Sequence, residues 1–171
     1  MVLTNQEAGG AIEALTEQLA DGYLGLRGTN RVQQWARRAQ AHSPAADTAA
    51  AAVWQAVARR QALAPPAGPS AYQPYAGTYR DPWFGDVRID VRHGTLWFQA
   101  LKSPQLRGPL LPYRGNTFVV RWANPQIQAD AFVMFALDAR GRARALAMQA
   151  VAAAPAAGYD FQDLDLQRVS Q

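Results

Sequence analysis

Nucleophilic catalysis needs a serine, cysteine or lysine with a base beside it. The chain has four serines, Ser43, Ser70, Ser103 and Ser170. None is followed three residues later by lysine, so the S-x-x-K arrangement of acyl-transferring serine enzymes is missing, and no G-x-S-x-G occurs. There are two histidines. His93 falls in a His-Gly turn and His42 precedes a helix start, so both read as solvated side chains, and no triad is suggested. The absence of cysteine excludes disulfides, thiolate nucleophiles and cysteine zinc sites. Asp160, Asp163 and Asp165 cluster near the C-terminus, but without the glycine bend and closing glutamate of a calcium loop. Their alternation with Leu164 and Leu166 reads as a strand with one wet, acidic face. The glycines form neither a dinucleotide fingerprint nor a phosphate loop. No catalytic residue, metal site or cofactor is expected.

Two residue classes remain. Aromatic side chains crowd the second half: Tyr72, Tyr75, Tyr79, Trp83 and Phe84 in one short segment, then Trp97, Phe98, Phe118, Trp122, Phe132 and Phe135. Most should form core, although rings at these positions can also line a pocket or anchor a partner. Tyr79, Trp83, Phe84, Trp97 and Trp122 are the candidate ligand- or domain-contact residues. The formal net charge is +4 and Lys102 is the only lysine, so the positive charge is nearly all arginine. Arginine suits phosphate. Along the sequence, however, the arginines are scattered and several alternate with acids, as in Asp86, Arg88, Asp90 and Arg92. A nucleic-acid footprint is a clustered stripe, so no nucleic-acid partner is expected.

The elements that carry these residues divide at Ala64-Pro65-Pro66-Ala67-Gly68-Pro69-Ser70, a linker-like stretch. Before it, about three helices are expected. Ala8, Ile12, Leu15, Leu19 and Tyr23 recur at helical spacing, with Gly25 and Gly28 as stop signals. Val32, Trp35, Ala36 and Ala39 fit a second helix. Ser43-Pro44 is a start signal for a third, running to about Leu63 and burying Val53, Trp54 and Val57. Val2-Leu3-Thr4 reads as a short strand without neighbours. No apolar run reaches the ~18 residues of a membrane span.

After the linker, about eight short strands are expected: Tyr75–Arg80, Asp86–Arg92, Leu96–Ala100, Leu106–Tyr113, Thr117–Trp122, Asp130–Leu137, Ala143–Val151 and Phe161–Arg168. A two-residue turn at His93-Gly94 pairs Val91 with Leu96, Ile89 with Phe98 and Val87 with Ala100, all on one buried face. That register puts Trp97 on the outer face beside Asp90. With Gly141 in a left-handed bulge, Phe132 and Met134 oppose Met148 and Leu146; a four-residue loop flips this pairing. Closely spaced short strands close on themselves to remove exposed edges. An eight-stranded barrel is just wide enough to be filled by side chains or to hold one small ligand. The fold class is α+β, a helical segment followed by an antiparallel eight-stranded barrel.

Three segments resemble a known family as a set. They are Tyr75-Ala76-Gly77-Thr78-Tyr79-Arg80-Asp81-Pro82-Trp83-Phe84-Gly85-Asp86-Val87, Ala129-Asp130-Ala131-Phe132-Val133 and Tyr159-Asp160-Phe161-Gln162-Asp163-Leu164. They are similar to the accessory C-terminal domain of beta-lactamase-related, penicillin-binding-protein-like serine hydrolases. That domain is of unknown function and is thought to be lipocalin-like. The resemblance implies that residues 71–171 form the barrel domain and 28–70 a helical connector. It implies that 1–27 are the last strand and closing helix of a hydrolase domain, and that the protein is periplasmic or secreted. The family's serine–lysine nucleophile and its other motifs have no counterpart here. The expectation is therefore a non-catalytic accessory domain whose partner is the missing catalytic domain. Another copy of the chain, meeting the orphaned first helix, is a further possible partner. A stand-alone binder of a small apolar or aromatic ligand is the alternative.

Overall fold

The computed structural model describes residues 9–26, 28, 30–40, 44–63, 68–125, 127, 129–152 and 160–169. The expected strand at Val2-Leu3-Thr4 and the Ser43 cap lie outside them. The chain divides into two compact units, one containing α1 (Gly9–Tyr23) and α2 (Arg31–Gln40), the other containing most of α3 (Pro44–Leu63) and the β domain.

In the first unit, α1 and α2 are joined by a charge clamp. The Arg31 guanidinium donates to both carboxylate oxygens of Asp21, at 2.6 and 3.2 Å. Asn30 caps α2, its Oδ1 accepting from the Gln33 amide at 2.8 Å. The buried face of α1 carries Ala14 and Asp21, whereas Leu15, Leu19 and Tyr23 are exposed. Three residues of the apolar stripe that defines this helix in the sequence are thus left uncovered, while Ile12 is half-buried and Ala8 lies outside the described residues.

The second unit is a closed barrel of eight antiparallel strands in chain order, β1 (Gly77–Asp81), β2 (Gly85–Arg92), β3 (Thr95–Ala100), β4 (Arg107–Arg114), β5 (Thr117–Val120), β6 (Ala131–Leu137), β7 (Ala143–Ala150) and β8 (Leu166–Arg168). The β2–β3 hairpin has the expected register, with Val87, Ile89 and Val91 opposite Ala100, Phe98 and Leu96. His93 and Gly94 both take positive φ, 50° and 76°, which a tight two-residue turn of this twist requires.

The β6–β7 register corrects the pairing of Phe132 with Met148 and Met134 with Leu146. Leu137 does pair with Ala143 around the Gly141 turn, as a left-handed Gly141 demands. A bulge then inserts Arg144, and from Ala136–Ala145 onward every pairing moves by one. Phe135 faces Leu146 and Val133 faces Met148, and these four enter the core. One bulged residue exchanges the two faces of a strand. The final strand is shorter than expected. Phe161–Asp163 form a 3₁₀ turn that drives Phe161 into the core, and pairing begins only at Leu166. Likewise β5 stops at Val120, and Trp122 turns inward.

The interior is one apolar cluster contributed by all eight strands. Its rings pack on one another: Phe118 lies 5.6 Å from Phe135 edge-to-face, and Phe98 5.5 Å from Trp122. Helix α3 covers part of the outer wall. The Trp54 indole donates to Asp130 at 2.7 Å, the Arg60 guanidinium to the Tyr113 carbonyl at 3.3 Å, and Arg121 lies over the Trp54 ring at 4.2 Å. Between these anchors Val57 is buried, as is Val119 on the outward side of β5.

Candidate functional site

The five aromatic candidates do not converge. Tyr79 is fully buried inside the barrel, its hydroxyl donating to the Tyr75 carbonyl at 2.7 Å. Burial pushes its phenol up to about 12, so it stays neutral. Trp122 seals the opposite end of the interior: it donates to the Ala129 carbonyl at 2.7 Å and stacks on Phe161 at 6.1 Å. Phe84 is half-buried against the core. Trp97 is on the outer wall opposite Asp90, as its register requires, but it is half-buried beneath the Arg92 guanidinium at 5.2 Å. Its indole nitrogen is shielded and meets no hydrogen-bond acceptor among the described residues. Trp83 alone is bare, 88% exposed at the tip of the β1–β2 turn.

That turn is rigidly built. The Asp81 carboxylate is buried and accepts three amides: Phe84 at 2.7 Å, Trp83 at 2.8 Å and, from the segment leading into β8, Asp165 at 2.9 Å. These donors, that of Phe84 foremost, hold its pKa below the ordinary carboxylate value despite burial. Arg80 and Asp86 brace the turn from outside through a two-point ion pair at 2.6 and 2.9 Å. Trp83 therefore projects from a fixed backbone rather than from a loose loop.

A second feature was not legible in the sequence. At the barrel end where β1 begins, β1 starts at Gly77 opposite Ile89, so Asp90–Arg92 of β2 run beyond it. A groove of about 1060 Å³ opens there between the β2 end and the start of β7. It gathers Arg88 and Arg92 from β2, Arg142 and Arg144 from the β6–β7 hairpin, and Arg168 from β8. Barrel closure unites arginines separated by up to eighty positions. Linear clustering is the only signal that sequence offers for such a site, and here it is lacking.

Arg168 forms the floor. Its guanidinium donates to the carbonyls of Ala143 at 2.8 Å, Pro74 at 3.1 Å and Ala76. Gly77 permits this: a β-carbon there would stand 2.8 Å from the Arg168 guanidinium. The two acids in the lining are engaged already. Asp90 pairs with Arg92 at 3.2 Å, and Asp138 accepts the amides of Arg142 and Arg140 at 2.8 and 2.9 Å, which hold its pKa down.

Among the described residues no three histidine, aspartate or glutamate side chains form a metal-binding group, and no helix is long and apolar enough to cross a membrane. The second unit is thus a closed antiparallel barrel with an apolar interior of packed rings, a rigid aromatic tip at one end and a basic groove at the other. Its sequence matches, over residues 61–168, the family described as a domain of unknown function, DUF3471, and the chain belongs to that family. No curated protein and no solved structure was found to match the chain.

Proposed function

We propose that this chain is a non-catalytic accessory domain of a beta-lactamase-related serine hydrolase, and that it works by docking on a catalytic domain. The observation that carries the reading is Trp83. The Tyr75–Val87 segment, the strongest part of the resemblance to those accessory domains, builds a braced turn whose product is an exposed tryptophan. A large ring held outward on a rigid support is left almost bare by the described residues, and it matches the anchors that dominate protein interfaces. The inventory of side chains agrees: there is no S-x-x-K serine. On this reading residues 1–27 derive from the hydrolase fold, and the setting is periplasmic or secreted.

The alternative, a lipocalin-like binder of a small apolar ligand, has less support. The rings that would line its cavity are occupied with one another.

The test has two parts. Nitrocefin and p-nitrophenyl esters should not be turned over by the chain. A catalytic domain of this hydrolase class, supplied in trans, should bind it in calorimetry and lose at least about tenfold in affinity with Trp83→Ala. Turnover that disappears on replacing one of the four serines would sink the non-catalytic assignment. Unchanged affinity of Trp83→Ala would remove the docking role.

A further inference from the structure

The groove between β2 and β7 has more positive charge than its own acids can neutralise, and we infer that it binds a small polyvalent oxyanion, a phosphate- or carboxylate-bearing molecule held by Arg88, Arg142 and Arg144. This goes beyond the docking role and does not depend on it.

Three observations carry the assignment. First, both acids in the lining are engaged, Asp90 by Arg92 and Asp138 by backbone amides, while Arg88 and Arg144 make no hydrogen bond or ion pair through their guanidiniums to any described residue. Second, Arg144 is the residue inserted by the β7 bulge. A bulge re-aims one side chain at a local cost in sheet pairing, and here the re-aimed side chain lines the groove. Third, the floor is preorganised, since Arg168 is fixed by three carbonyls and cannot fold away. Guanidiniums present planar forks that match the oxygen pairs of phosphate and carboxylate, and charge-assisted bonds of this kind are the strong ones.

A nucleic-acid strand fits less well. Single strands use aromatic platforms for their bases, and no aromatic side chain lines this groove. The observations therefore favour a compact anion over a polymer.

The experiment is calorimetric titration of the full chain at low salt with pyrophosphate and, in a separate arm, citrate. The expected result is saturable binding of one molecule of at least one of them, weakening as sodium chloride is added. Binding of pyrophosphate alone assigns a phosphate ligand, and binding of citrate alone a carboxylate one. The double variant R142Q/R144Q, and separately R88Q on a different strand, should each lose about tenfold or more. R107Q, an exposed arginine of β4 outside the groove, should bind like the parent. Amide shifts of the unaltered chain should change around Thr78, Arg88 and Arg144. No saturation with either anion, undiminished affinity in both groove variants, equal loss in R107Q, or shifts mapping elsewhere would overturn the proposal. An oligonucleotide that binds where neither small anion does would also overturn it, in favour of a polymer.

Discussion

Asp81 joins two parts of the chain that are eighty-four residues apart, because one carboxylate serves the β1–β2 turn and the entry to β8. Replacing it with alanine removes the acceptor for three amides, and the expected loss is about 2 kcal/mol in urea unfolding. The pH dependence has a definite sign. The folded-state pKa lies below that of the unfolded chain, so this contribution is present above roughly pH 4 and is lost as pH falls through the folded value. A urea titration series across the acid range should show stability falling more steeply for the parent than for Asp81→Asn. Trp83 is the opposite case. Its ring is exposed, so Trp83→Ala should leave unfolding within about 0.5 kcal/mol of the parent while affecting partner binding. That contrast separates the residue that builds the turn from the residue the turn displays. Trp83 could be singled out in the sequence as one aromatic of a dense set. Its exposure depends on the Asp81 amide contacts, one of which comes from the far end of the chain.

Among the contacts that hold helix α3 to the barrel, the Trp54–Asp130 hydrogen bond has opposed costs. Burial raises the Asp130 pKa, while the Trp54 indole partly offsets this by donating to it. A raised carboxylate pKa favours the fold at low pH, and the benefit is lost as pH rises through the folded value. Asp130→Asn keeps an acceptor for the indole and removes the desolvated charge, so it should match or exceed the parent in thermal stability at neutral pH. Asp130→Ala strands the donor and should cost about 1 kcal/mol. The reach and burial of this helix, including Val57, were legible from its spacing and its Pro44 start. The faces of β6 and β7 were not. The turn chemistry around Gly141 is as read, but nothing in the local residues announces that Arg144 will bulge, and that single residue decides which side chains reach the core. In the first unit, Leu15, Leu19 and Tyr23 leave α1 with an exposed apolar stripe, and such stripes favour association. Analytical ultracentrifugation should show self-association that Leu15→Glu with Leu19→Glu abolishes; a parent sedimenting as a monomer at all concentrations would contradict this.

For the molecule as a whole, the barrel was legible because strand spacing, alternation and the His93-Gly94 turn all point to it. The groove was not, because it exists only after closure brings β2, β7 and β8 together. Closure also sets its own tolerances. Gly108 lies where β4 crosses the chain leaving β5, and a β-carbon there would sit 1.9 Å from the Arg121 carbonyl oxygen. Backbone cannot yield as a flexible side chain does, so Gly108→Ala should cost more than about 3 kcal/mol or prevent folding, as read by urea unfolding and circular dichroism. The last strand has a different significance. β8 is three residues long and touches each neighbour at only two paired positions, Tyr79–Arg168 and Arg80–Gln167 on one side, Ala145–Gln167 and Leu146–Leu166 on the other. The barrel therefore has a seam. Amides along it should exchange with solvent sooner than those of the long β6–β7 ladder, and the pairing of β1 with β8 spans so much sequence that it should be slow to form. Until the seam shuts, β1 and β7 are open edges, and the β8 segment of a neighbouring molecule is chemically identical to the missing strand. Strand exchange between copies during refolding is the hazard that this short latch leaves in place.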